Sequence, residues 1–239
     1  MTISSDQVTA SICCQALSAV LSTKHGMMGL NRKITTLLFD WDGTLADSSH
    51  RSFTAFEKSL QHLGIAFTRE IYDAYYSPNA YLMYEALNLP AEKWPQADDL
   101  WLQHYGEDPS DLVADARETL VSLHRKGYSF GVVSSGSRSR VLREISESDL
   151  SSIFGVVVCN EDIQQKKPHP EGIEKAMALL GAGKEFCSYI GDAPEDIRMG
   201  KNAEVLTVAV PGSFPSSKDL RGAHPDIYLA SIKELLFHF

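Results

Sequence analysis

Cysteine is scarce in this chain, with only four in 239 residues. Cys13, Cys14, Cys159 and Cys187 have neither metal-ligand nor disulfide-framework spacing, which argues against a zinc-ribbon or disulfide-stapled class. Cys159 and Cys187 fall in apolar runs that read as core strands, so reduced, buried thiols in a cytoplasmic protein are expected. Clusters of Lys and Arg are also missing. With 22 basic against 31 acidic residues the formal net charge is −9, which excludes a nucleic-acid partner held by a basic patch. No apolar run approaches a membrane-spanning length, so no membrane partner is expected. Internal repeats and low-complexity segments are absent. Residues 1–32 lack the basic start of a secretory signal and contain no Arg before Arg32. They read as an N-terminal extension with some helix.

An apolar content of 44% and a charged content of 22% are ordinary for a globular domain. The length accommodates one sizeable core plus an insertion. Ile34–Phe39 reads as a buried strand. After Ser48 the apolar period becomes helical for about sixty residues, with Phe53, Phe56, Leu60 and Leu63 three or four apart. Further helices are predicted around Ile71–Tyr76, Tyr81–Leu89 and Trp94–Tyr105, and no strand intervenes. Leu112–Lys126 reads as another helix. Strands at 128–134, 155–159, 187–191, 205–210 and 226–229 then alternate with helices at 138–146, 170–180, 194–202 and 232–237. The prediction is an α/β fold, a parallel sheet between two helical layers, with an all-helical insertion. Residues 33–48 and 111–239 form the core and 49–110 the insertion.

One stretch organises the rest: Leu37-Leu38-Phe39-Asp40-Trp41-Asp42-Gly43-Thr44-Leu45-Ala46-Asp47-Ser48. An apolar strand ends in two carboxylates one residue apart, and strand alternation sets both on one side. Neighbouring carboxylates repel, so a cation or a shared proton is expected between them. An Asp-rich turn bent at Gly43 is the bland alternative for Asp-x-Asp-Gly alone. Three later strand ends also carry polar groups. Val132-Val133-Ser134-Ser135-Gly136-Ser137 offers hydroxyl and backbone N–H groups to an anion, although Ser-Gly-Ser is also a common loop. Gln165-Lys166-Lys167-Pro168-His169-Pro170 sets a lysine just before a helix start. His169 there is an open candidate for a general base. In Gly191-Asp192-Ala193-Pro194-Glu195-Asp196 a second acid follows one helical turn after the first. An oxygen-only ligand set suits Mg²⁺ rather than zinc.

Together the four segments resemble the four motifs of the haloacid dehalogenase superfamily, in order and at suitable spacing over residues 34–239. The helical insertion resembles the α-helical cap of its phosphoglycolate phosphatase and β-phosphoglucomutase branch. The resemblance implies a three-layer Rossmann-like core and a Mg²⁺-dependent phosphatase acting on a small phosphate monoester. It implies Asp40 as nucleophile, forming an aspartyl-phosphate, and Asp42 as general acid and base. Ser134, Ser135, Gly136, Lys167 and Thr44 would hold the phosphoryl group, with Ser134 and Lys167 counted as catalytic. Asp40, Asp42 (through its main chain), Asp192 and Asp196 would hold the metal. One departure is Glu204, where many relatives have glycine.

Within that family Asp42 argues against dehalogenation. Ser52, where mutases carry His, argues against a sugar phosphomutase, and Lys58 is a poor Schiff-base candidate. The mutase reading and a slow, phosphate-binding regulatory protein stay as alternatives. The partner is expected to be a small phosphorylated metabolite and the protein a monomer or weak dimer. Residues 49–110 hold four Lys/Arg against nine Asp/Glu, which predicts a substrate whose non-phosphate part is weakly charged or neutral, unless Arg51 or Arg69 faces the pocket, with Tyr76, Asn79 and Tyr81 touching the leaving group.

Overall fold

The computed structural model describes residues 33–106 and 110–239. The reading of residues 1–32, with Cys13 and Cys14, lies outside the described residues. Strand β1 (Thr36–Phe39) is buried along its whole length. It pairs in parallel with β2 (Ser129–Val133) on one side and β4 (Cys187–Gly191) on the other. With β3 (Phe154–Val158), β5 (Leu206–Ala209) and β6 (Ile227–Tyr228) the order is β3-β2-β1-β4-β5-β6, all parallel. The winding reverses at β1. The crevice beyond the carboxyl ends of β1 and β4 is therefore the point where such sheets bind ligands.

Strand alternation divides the core. Leu37 and Phe39 face one layer with Leu120, Leu123, Val141 and Ile145, and Leu38 faces the other with Ile173, Ala176 and Met199. The first layer is α5 (Ala116–Arg125) and α6 (Arg138–Glu147), the second α7 (Glu171–Leu180) and α8 (Pro194–Asn202). Coverage on both faces explains why the strands read as unbroken apolar runs. Cys159 and Cys187 are buried and free. Among the described residues no helix is long and apolar enough to cross a membrane.

Between β1 and α5 lie α1 (Ser49–His62), α2 (Arg69–Tyr75), α3 (Ala80–Ala86) and α4 (Trp94–Tyr105). Their aromatic stripe packs a small core of their own, with Phe56, Leu60, Tyr72, Met83 and Tyr84 buried. The two segments joining this block to the sheet run side by side. Ala46 bridges Leu112, the Asp47 N–H donates to the Asp111 carbonyl at 2.8 Å, and the Val113 N–H donates to that of Leu45 at 2.8 Å.

That pairing explains one difference from the sequence reading. The helix expected from Leu112 starts only at Ala116, because residues 112 and 113 are committed to the linker and Asp115 has a φ of 62°. Helix α3 stops at Ala86, short of Leu89, where Asn88 turns left-handed at φ 55°. The closing segment Ile232–Phe237 is a 3₁₀ helix, and Pro215–Ala223 is a second one that no apolar period announced.

Glu204 holds the left-handed conformation, φ 58°, that a glycine would take after α8. Left-handed geometry costs an L-residue about 1–2 kcal/mol, and glycine returns about 0.5–1 kcal/mol of that as chain entropy. The Glu204–Lys184 ion pair is more than half exposed on both sides, 71% and 52%, and contributes little. Glu204→Gly should raise stability by about 0.5 kcal/mol. A lower urea midpoint in the variant would mean the ion pair outweighs the strain.

Candidate active site

Asp40 follows β1 and Asp192 follows β4, and the Phe39–Ile190 register brings both carboxylates to one edge. Asp196, in the first turn of α8, reaches back so that its Oδ2 accepts the Ala193 N–H at 3.0 Å. The three acids are 5%, 2% and 1% exposed. Lys167 enters from the loop before α7, and its ammonium donates to Asp40 Oδ1 at 2.5 Å and Asp196 Oδ1 at 2.7 Å. Gly43 is needed at the turn. Its φ is +88°, and a Cβ there would lie 2.4 Å from Asp192 Oδ2 and 2.7 Å from the Phe214 ring.

Burial and crowding set the charge states. Burial pushes Asp40 up to about 7, with Lys167 opposing the rise and Asp196 and Asp42 adding to it. Burial, then Asp196 and Asp40, holds Asp192 well above the carboxylate range. Lys167 is raised well above its ordinary value because Asp196 and Asp40 outweigh its burial. One ammonium thus faces three buried carboxylates. Ligand oxygens of Asp40, Asp192 and Asp196 lie within 4.8 Å of one another. An oxygen-only, charge-starved cluster of this kind fits a hard divalent cation such as Mg²⁺.

Asp42 turns the other way. Burial would raise it, but the charge and hydrogen bonds of Arg140 outweigh burial and leave it below the ordinary range. Arg140 Nη2 and Nη1 donate to its two oxygens at 2.6 and 3.0 Å, and the Ser48 hydroxyl donates to Oδ1 at 2.7 Å. Both side-chain oxygens of Asp42 are therefore engaged, and Asp42 is not part of the cluster of three acids. Arg140 also pairs with the fully buried Glu144 at 3.0 Å. Glu144 in turn accepts from the Trp41 indole at 2.6 Å and the Tyr105 hydroxyl at 3.0 Å. The residue between the two aspartates thus anchors the clamp on the second of them.

These groups open into a cavity of about 240 Å³ under the helical block. Asp40, Asp42, Lys167, Asp192, Ser135 and Gly136 line it, as do Tyr76, Asn79 and Tyr81 of the block. The other expected phosphate ligands sit deeper. Ser134 is 2% exposed, and its Oγ accepts the Gly136 N–H at 2.9 Å. Thr44 is fully buried and donates to Asp192 Oδ1 at 3.3 Å, so its hydroxyl orients a carboxylate in this structure. His169 is not on the cavity wall, and its Nδ1 accepts the Glu171 N–H at 3.3 Å. Ser52 lines the cavity and Lys58 is exposed.

Two cavity cations, Arg140 and Lys166, were not singled out from sequence. The i, i+4 spacing of Arg140 and Glu144 on α6, just after the Ser-Gly-Ser turn, was the available signal. The acids of the helical block are mostly elsewhere. Glu70, Asp73, Glu85, Glu92 and Asp99 are exposed, and of the described acids in the block Asp98 lines the cavity. Neither Arg51 nor Arg69 lines it.

The model of the family described as haloacid dehalogenase-like hydrolase matches residues 37–210. The chain belongs to the haloacid dehalogenase-like hydrolase family. It is 33% identical over 212 residues to the pyrophosphatase PpaX of Listeria monocytogenes serotype 4a, covering 85% of this chain and 95% of that one. A haloacid dehalogenase-like hydrolase from Bacteroides fragilis superposes with a TM-score of 0.78 at 26% identity, over 85% of this chain and all of the other. CbbY from Rhodobacter sphaeroides, solved with phosphate, shares the fold with a TM-score of 0.72 at 23% identity, over 84% and 96% of the two chains. The family membership makes this chain a hydrolytic enzyme.

Because Asp40 in this hydrolase sits above its ordinary value of 3.8, the metal-free native state binds more protons than the unfolded chain between about pH 4 and 7. Stability from this group is therefore lost as pH rises across that window. A bound divalent cation requires the ionised carboxylates and removes the loss. Millimolar Mg²⁺ should raise Tm more at pH 8 than at pH 5. An equal or smaller shift at pH 8 would argue that these carboxylates do not take the ion.

Proposed function

We propose that this hydrolase is a Mg²⁺-dependent phosphatase that cleaves a small phosphorylated metabolite through an aspartyl-phosphate on Asp40. The observation that carries the reading is the Lys167 ammonium between Asp40 and Asp196, beside Asp192, at the floor of the cavity. Lys167 keeps the Asp40 carboxylate oriented and offsets the charge of an approaching phosphoryl group. Asp40, Asp192 and Asp196 would hold the ion, which when bound supplies charge neutralisation for the phosphoryl oxygens. Ser135 and Gly136 also line the cavity and would meet the phosphoryl oxygens.

In the first half-reaction an Asp40 oxygen attacks phosphorus, the P–O bond to the leaving group breaks, and the leaving oxygen takes a proton from Asp42. In the second, water attacks phosphorus and gives a proton to Asp42, while the bond between phosphorus and the Asp40 oxygen breaks, freeing the carboxylate and inorganic phosphate. With Arg140 and Ser48 bound to it, Asp42 is prepared as the acceptor in that second step. Acting as an acid first requires one of those contacts to open.

A cavity of about 240 Å³ lies below the usual 300–1,000 Å³ of small-molecule sites, which favours a compact substrate. The relatives named pyrophosphatase are consistent with one. We read residues 49–110 as a cap that closes over it. Tyr76 of the block stacks on Phe214 of the core, ring centroids 4.9 Å apart, and the Ser49 hydroxyl donates to the Ser213 carbonyl at 3.0 Å.

Asp40→Asn should lower turnover at least ~10⁴-fold with the fold intact by circular dichroism, as loss of other covalent nucleophiles does. Near-normal turnover by a pure preparation would sink the covalent mechanism. Ca²⁺ should inhibit in place of Mg²⁺, because its longer, more numerous bonds misplace Asp40. Equal rates with the two ions would count against this site. Spin labels at the exposed Gln61 and Glu174 should change separation when a phosphate analogue such as vanadate binds, as cap closure requires. An unchanged distance distribution would remove the gating role.

A further inference from the structure

Three cations line the cavity: Lys167, Arg140 and Lys166. The first two are committed. Lys167 is held by Asp40 and Asp196, and Arg140 by Asp42 and Glu144. Lys166 differs. Its ammonium is half-buried, donates to the neutral amide oxygen of Asn160 and lies 4.7 Å from the centre of the Tyr81 ring. It has no ion-pair partner among the described residues. The nearby acids are engaged elsewhere. Asp98 accepts from the Tyr81 and Tyr84 hydroxyls, both at 3.1 Å, and Glu161 accepts the Arg138 N–H.

A half-buried ammonium with only neutral partners has given up water without gaining a counter-charge. Burial accordingly depresses Lys166, with Asp98 and Glu161 opposing the shift from a distance. A tyrosine face and an amide oxygen fix its position and leave donors free. Lys166 and Lys167 both line the cavity, Lys167 with its ammonium on Asp40 and Asp196 and Lys166 with its ammonium at Asn160 and Tyr81, and the proposed function assigns the first of these cations to the transferred phosphoryl group.

We propose that Lys166 is a specificity residue that binds a second anionic group on the substrate, so that the preferred substrates carry a phosphoryl group and another anion close by. Inorganic pyrophosphate and phosphorylated short carboxylic acids share that chemistry. The inference rests on the reading of the site as a phosphoryl-transfer centre. It reverses the expectation of a neutral remainder, which took the acids of the helical block to face the cavity. Asp98 alone of the described ones does so, and its oxygens are occupied by tyrosine hydroxyls.

The test compares Lys166→Gln and Lys166→Arg with the parent on pyrophosphate, phosphoglycolate and phenyl phosphate. One charged contact is worth roughly 10- to 100-fold. In Lys166→Gln the ratio of kcat/KM for a doubly anionic substrate to that for phenyl phosphate should fall by about that factor, while Lys166→Arg keeps most of it. A fall confined to pyrophosphate, or to phosphoglycolate, identifies which source of the second anion the site uses. An unchanged ratio for both overturns the proposal. Binding in the presence of Mg²⁺ gives a readout that needs no turnover. Lys166→Gln should weaken methylenediphosphonate at least tenfold more than methylphosphonate, and equal weakening, or no binding of the diphosphonate to the parent, overturns the proposal. If the parent hydrolyses none of the three substrates, the phosphatase reading fails, and the phosphonate comparison still decides the role of Lys166.

Discussion

The site depends on negative charge buried without enough positive charge beside it. Asp40, Asp192 and Asp196 are each at most 5% exposed, and Lys167 is the ammonium that contacts two of them. Removing a charge from water costs several kcal/mol unless it is paired. The fold tolerates the arrangement because parallel pairing of β1 with β4 fixes two acids at one edge, and the helix-start contact with Ala193 fixes the third. The proposed function makes use of that imbalance. A buried carboxylate cluster that favours protons is the kind of site that a divalent cation would stabilise.

The second aspartate is governed separately. A continuous chain of contacts runs from the Trp41 indole through Glu144 and Arg140 to both oxygens of Asp42. Tyr105, the last residue of α4, enters the same chain at Glu144 and also bonds Ser110 across the linker at 2.6 Å. Ser48, at the other linker, donates to Asp42 directly. Both connections between the helical block and the sheet therefore end on the network that fixes Asp42. A rotation of the block that moved Tyr105 or Ser48 would alter how Asp42 is held, which ties the proposed acid and base to the position of the proposed cap.

How much of this was legible in the sequence differs by kind of information. The sheet and its helices were readable because strands covered on both faces become unbroken apolar runs, and each run ended where a polar cluster began. Asp40 and Asp192 were readable as acids that end apolar strands, whereas Lys167, in a loop, and Asp196, on a helix, were picked out with the resemblance to the family's motifs. Arg140 was missed because an arginine on an amphipathic helix looks solvated until its partner, Glu144, is known to be fully buried. Thr44 was read as a phosphate ligand because it lies in the right turn, but the direction of a hydroxyl is a tertiary property. Helix α5 was drawn one turn too long because backbone pairing between linkers leaves no mark in side-chain periodicity.

Charge summed over a segment was the least dependable guide. The excess of acids in residues 49–110 is real, but the helices turn their apolar faces to a core of their own, and Glu70, Asp73, Glu85, Glu92 and Asp99 are exposed to water. Through water and salt their field decays within about 8–10 Å. What the cavity meets is set by single side chains held in low dielectric: Lys166, Lys167 and Arg140 from the sheet side, Asp98 from the helical side. Since Lys167 and Arg140 are neutralised by acids that the chemistry itself requires, the selectivity of the cavity falls to the cation left over.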